Sequence, residues 1–97
     1  TQQLLNGATR PTAVIAANDL MAMGVMAAAQ AVGLQIGQEL SVVGFDDIPL
    51  ATYANPPLTT VHQPIYRIAT MVTAMLIQIL SGHPLTERRK WLRPNLI

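Results

Sequence analysis

The sequence predicts an α/β fold: a parallel sheet with helices on both faces. Three observations carry this. Short, unbroken apolar runs at 13–17 (AVIAA) and 42–45 (VVGF) read as strands covered on both sides, because a strand facing solvent on one side would alternate. Helical stretches of about fifteen residues separate the strand-like runs, the order that builds a parallel sheet. Finally, both apolar runs end in polar pairs, Asn18-Asp19 and Asp46-Asp47. Ligands of such sheets bind beyond the carboxyl ends of the strands.

The elements follow in order. Ala13–Ala17 is the first strand. LMAMGVMAAAQAV is rich in Ala and Met, both good helix formers, and predicts a helix from about Asp19 to Val32. Asp19 suits the N-cap and Gly33 the left-handed position just past the end. Leu20, Gly24, Ala27, Ala28 and Ala31 hold one face, and Met21, Val25, Ala28 and Val32 another, so the helix is expected to pack on both sides. SVVGFDD is the second strand. Pro49, Pro56 and Pro57 make the next segment a loop. LTTV at 58–61 is β-branched and reads as a third strand. Pro64 fits the first position of a second helix. Ile65, Ile68, Ala69, Val72, Met75, Leu76 and Ile79 give that helix its apolar stripe, and Ser81-Gly82 with Pro84 ends it. KWLRPNLI suits a final edge strand, with Pro94 keeping it at the edge.

Composition says what kind of object this is. The 97 residues are 51% hydrophobic and only 11% charged, against roughly 25% charged in an average soluble domain. So little charge suggests that part of the apolar surface is covered by chain outside this sequence, and the isolated chain is expected not to form a stable monomer. The N-terminus, TQQLLNGATRP, lacks a basic region followed by an apolar one, so it reads as a cut within a longer chain, not a signal peptide. No apolar run approaches the roughly 20 residues of a membrane span. A net charge of +1, with basic residues scattered apart from ERRK at 87–90, leaves no nucleic-acid footprint; ERRK itself reads as a solvated face or loop.

Enzyme signatures are absent: no GxGxxG after a strand, no GxxxxGK[ST], no GxSxG. The acid pair is reminiscent of phosphoryl-transfer receiver domains, but the sole lysine, Lys90, lies outside the strand-end pattern. His62 and His83, 21 positions apart and without cysteines, do not make a zinc site. No metal or cofactor is expected, and the five methionines read as core packing or a pliable interface.

The binding candidates are therefore strand-end residues. Asn18 carries an amide that donates and accepts at once, as recognition of hydroxyls requires. Asp46 and Asp47 face opposite ways if strand alternation continues, so one reaches a ligand while the other supports the loop. Gln63 lies between the third strand and the helix opened by Pro64; a surface glutamine in a turn is the equally open alternative.

The succession PTAVIAANDLMAMGVMAAAQAVGLQIGQELSVVGFDDIPLATYANPPLTTVHQP resembles the C-terminal part of the effector-binding core of LacI/GalR-family transcriptional regulators. The likeness runs from about Arg10 to Pro64 and more loosely to Leu80. It implies part of a two-lobed, type I periplasmic-binding-protein-like fold that closes on a small effector, often a sugar and in some branches a purine or nucleoside. By motif, Asn18, Asp46 and Gln63 fall at effector contacts, while Asp19 and Asp47 are left to cap and support. Residues 1–62 and roughly 90–97 would belong to the C-terminal lobe, and 63–82 to a crossover and a helix of the N-terminal lobe. Such regulators are cytoplasmic, usually homodimers, and bind operator DNA through a helix-turn-helix domain absent here. Met21, Met23, Met26 and Tyr53 would lie at the dimer contact. The rival from another class is a transport binding protein of the same fold; a doubly wound enzyme is a further one, which none of these residues supports.

Overall fold

The computed structural model describes residues 1–97, which form two compact units: Thr1–His62 with Asn95–Ile97, and Gln63–Pro94. The first unit carries the sheet. A short helix α1 (Gln2–Leu5), not foreseen in the sequence, precedes β1 (Ala13–Ile15), α2 (Asp19–Ala31), β2 (Ser41–Asp46), a 3-10 turn at Pro49–Tyr53, and β3 (Thr59–His62). β4 (Asn95–Leu96) returns to the edge. The sheet order is β1-β2-β3-β4, parallel except that β4 runs antiparallel to β3. Only Asn95–Ile97 joins this unit, rather than everything from about residue 90. Those three residues are the ones that bond β3, Ile97 exchanging both backbone hydrogen bonds with Thr60.

Register places Val14, Ala16, Val42, Gly44, Leu58 and Thr60 on one face, and α2 covers it. α2 buries Ala22, Val25, Met26 and Ala29, a stripe at spacings of three and four. That stripe differs from the two faces expected of it, and Leu20 and Met21 point outward. Small residues at 22 and 29 let the helix axis approach the sheet, and the helix ends as its glycine predicts. Leu34 N–H bonds the Ala29 carbonyl and Gly33 N–H the Gln30 carbonyl, both at 3.0 Å, with Gly33 at φ 82°. This is the Schellman arrangement, in which a left-handed glycine lets two late carbonyls find donors.

The opposite face, with Ala13, Ile15, Val43, Phe45, Thr59 and Val61, has no helix of the first unit against it. Ile15 is 84% exposed there, where a buried strand was expected. A parallel sheet is ordinarily covered on both faces, and this apolar row has the chemistry for such a cover.

The second unit consists of α3 (Ile65–Leu80) and the segment that folds along it. Pro64 stands one position earlier than expected, at the N-cap. Ile68, Met71, Val72, Met75, Trp91 and Leu92 line a common apolar groove. ERRK is an exposed stretch outside any helix or strand. Lys90 hydrogen-bonds Glu87 and, with its charge, holds that carboxyl below the usual carboxylate range. No helix is long and apolar enough to cross a membrane.

Candidate functional site

The polar ends of β1 and β2 are neighbours because the strands are parallel and paired, Ile15 opposite Val43. Asn18 follows β1 in extended backbone (φ −154°, ψ 170°), and its side-chain oxygen accepts from Met21 N–H at 2.9 Å. Asn18 is therefore the N-cap of α2, correcting the expectation that Asp19 would be. Asn and Asp rank alike as caps, so local preference could not choose between adjacent residues. With its oxygen committed to the cap, the polar groups the Asn18 side chain has left are the N–H donors of its amide.

Asp19 does something else. It is fully buried, at 0% exposure, in the first turn of α2. One carboxylate oxygen accepts from the Thr60 hydroxyl at 2.5 Å and the other from Ile48 N–H at 2.8 Å. The positive end of the helix dipole adds favourable field. A buried carboxylate is tolerable only when its oxygens are satisfied like this, and no buried side-chain polar atom lacks a partner. Room for it comes from Gly44: a Cβ there would lie 2.2 Å from the Asp19 oxygen. Asp19 thus ties α2 to the end of β2 and to β3, the loop-supporting role expected of Asp47.

Asp46 closes β2 with φ 108°, and Asp47 follows at φ 57°. Non-glycine residues at positive φ cost roughly 1–3 kcal/mol each, and they persist where surrounding structure fixes them. Strand alternation does not continue through such a pair, so the period-two argument stops at Asp46. Asp47 N–H reaches the Thr60 hydroxyl at 3.4 Å, a long bond, and its carboxylate meets His62 Nδ1 at 2.7 Å. Asp47 was expected to support the loop that follows. Instead Asp19 takes the Ile48 N–H and Asp47 takes the imidazole. His62, opposite Asp46 in the ladder, is the partner that reading overlooked.

Gln63 follows β3 directly, half-buried, its carbonyl accepting from Ile65 N–H at 2.8 Å. Of the interface candidates, Met21 and Tyr53 are exposed at 57% and 82%, and Met23 is partly buried. Met26 is a correction: at 3% exposure it belongs to the core beneath α2 and offers no surface to a partner. α2 and the proline-rich loop adjoin, Gln30 Nε2 donating to the Asn55 carbonyl at 2.7 Å. His62, Asp46 and Asp47 make no metal cluster; no group of three or more His, Cys, Asp or Glu is placed to hold an ion. Thr60 and Gly44 went unnoticed in the sequence, although a glycine inside a strand is itself a signal of close approach.

A family model described as a periplasmic binding protein-like domain matches residues 1–97. The chain belongs to that family. Over its whole length it corresponds to part of the effector domain of LacI-family regulators. It is 44% identical, over 90% of its length, to the HTH-type transcriptional repressor PurR of Photorhabdus laumondii. It is 41% identical, over 99% of its length, to the ribose operon repressor of Escherichia coli K12. The structure of a lac repressor dimer bound to operator and an anti-inducer superposes on 99% of it, with TM-score 0.90 and 35% identity. The chain spans 29% of the length of each of these three proteins. They are repressors, not enzymes.

Proposed function

We propose that this fragment supplies one wall of the effector site of a cytoplasmic, dimeric transcriptional repressor. Asn18 donates from its amide, and Asp46 accepts hydroxyl or ring N–H donors. The effector is a sugar or related polar metabolite. Its binding biases alternative arrangements of the protein and so the affinity for operator DNA, which a domain outside this chain would contact; that is a coupling between distinct sites. Met21 and Tyr53, with the partly buried Met23, would serve the dimer contact.

The observation that carries this reading is the Asp46–Asp47 turn. Two successive positive-φ acids at a strand's carboxyl end, held by a buried network, are a backbone arrangement whose strain needs a functional reason. The relatives add direction: one is named for the ribose operon, and another was solved as a dimer on operator. Calorimetric titration of the intact protein with D-ribose, other monosaccharides, hypoxanthine and guanine tests the reading, followed by the same titration of Asp46→Asn. Hydrogen bonds to a charged group contribute about 1.5–3 kcal/mol, so the variant should lose roughly 10- to 150-fold in affinity. Unchanged binding by Asp46→Asn would overturn it.

A further inference from the structure

We infer that Thr60 is a positioning residue for the effector site, acting through the backbone of Asp46 and Asp47 without touching the bound molecule. The inference rests on the assignment of Asp46 as an effector contact.

Thr60 is 1% exposed, so a ligand cannot reach it. Its hydroxyl is the one group that joins both supports of the turn: it donates to Asp19 at 2.5 Å and accepts from Asp47 N–H at 3.4 Å. A hydroxyl has one donor and two lone pairs, so it can do both at once. Asp19 holds the next amide, Ile48, at 2.8 Å. Two consecutive amides that follow Asp46 are thus fixed by two buried side chains from two other elements. The φ values of 108° and 57° need such fixing. Remove the hydroxyl and Asp47 N–H loses its acceptor while Asp19 loses a donor. The turn is then free to relax toward ordinary negative φ, and the Asp46 carboxylate moves with it. The residue that sets affinity would therefore sit on β3, beneath the site and out of contact with it.

The test uses Thr60→Val, which keeps shape and removes the hydroxyl, and Thr60→Ser, which restores it, both in the intact protein. Amide hydrogen exchange should rise about tenfold or more at Asp47 and Ile48 in Thr60→Val, leave Ala22–Ala29 of α2 protected, and return to the parent pattern in Thr60→Ser. Unchanged exchange at those two amides, or uniform loosening of α2 and the sheet, overturns the inference. In titrations with D-ribose and with hypoxanthine, Thr60→Val should weaken the binding compound about tenfold, Thr60→Ser should match the parent, and the loss should shrink in an Asp46→Asn background. Equal behaviour of Val and Ser, or a loss that adds fully to that of Asp46→Asn, also overturns it. If Asp46→Asn alone binds normally, the proposed effector contact fails. If Asp46→Asn weakens binding and Thr60→Val does not, only the positioning role fails. Should neither compound bind the parent, the effector class is wrong, and the exchange arm still decides the role of Thr60.

Discussion

Gly44→Ala is a substitution of one methyl group that the structure makes severe. The added Cβ would stand 2.2 Å from an Asp19 carboxylate oxygen, 3.0 Å from Leu58 Cδ2 and 3.3 Å from Asp19 Cα. Asp19 cannot swing aside cheaply, because both its oxygens are bonded and the residue is wholly buried. Moving it breaks one or both hydrogen bonds, each worth about 1.5–3 kcal/mol with a charged acceptor. Alanine returns roughly 0.5–1 kcal/mol through a less free unfolded chain. The net expectation is a loss of about 0.5–5.5 kcal/mol, whose upper part is a large share of a domain's stability. Urea denaturation of the intact protein, followed by circular dichroism, measures it. Because the clash is mainly with the carboxylate, Gly44→Ala combined with Asp19→Ala should cost clearly less than the sum of the two. A loss for Gly44→Ala below about 0.5 kcal/mol, or strict additivity of the pair, would refute the claim that this glycine exists to admit Asp19.

Asn18 combines a cap with a donor, and two substitutions separate these: Asn18→Asp keeps the cap and melts like the parent but loses effector affinity in titration, while Asn18→Ala also loses about 0.5–2 kcal/mol of stability. Asp46→Asn should leave the melting temperature nearly unchanged, since Asn tolerates positive φ. Asp47→Ala should lower stability by about 1–3 kcal/mol in urea denaturation, combining loss of a half-exposed pair with His62 and an alanine at φ 57°. Met21→Lys and Tyr53→Lys should shift the intact protein toward monomer in sedimentation velocity, whereas Met26→Lys should unfold it, because Met26 is core.

The strand-helix order was legible because each element had its own local signal. Apolar runs gave β1 and β2, Gly33 gave the end of α2, and a stripe at spacings of three and four gave α3. The strand LTTV, one residue out of register, became β3, and the tail became the edge strand β4, with Pro94 just outside it. Local signals failed where burial is decided by neighbours. Nearly every residue of α2 is apolar or small, so any stripe could have been the inner one; the sheet selected Ala22, Val25, Met26 and Ala29. The exposure of Ile15 has the same origin: its sequence specifies a covered strand, and no element of this unit lies on that face.

The two polar pairs show why a site is harder to read than a fold. Asn18 and Asp19 are interchangeable as caps, and so are Asp46 and Asp47 as turn formers, when only the local chain is considered. What distinguishes them lies 13 to 41 residues away. Gly44 leaves a slot beside the first turn of α2, and Thr60 offers a hydroxyl into it; a carboxylate with two acceptor oxygens satisfies that hydroxyl and the Ile48 amide together. The helix therefore starts so that Asp19 fills the slot, and Asn18 takes the cap. Once Asp19 holds Ile48, the chain must turn sharply between Phe45 and Ile48, and positive φ at both acids is how it turns. Asp47 is carried round to His62, and Asp46 is the last residue of β2. The two adjacent acids thus part: Asp46 closes the ladder opposite the His62 backbone, while the Asp47 carboxylate meets the His62 imidazole.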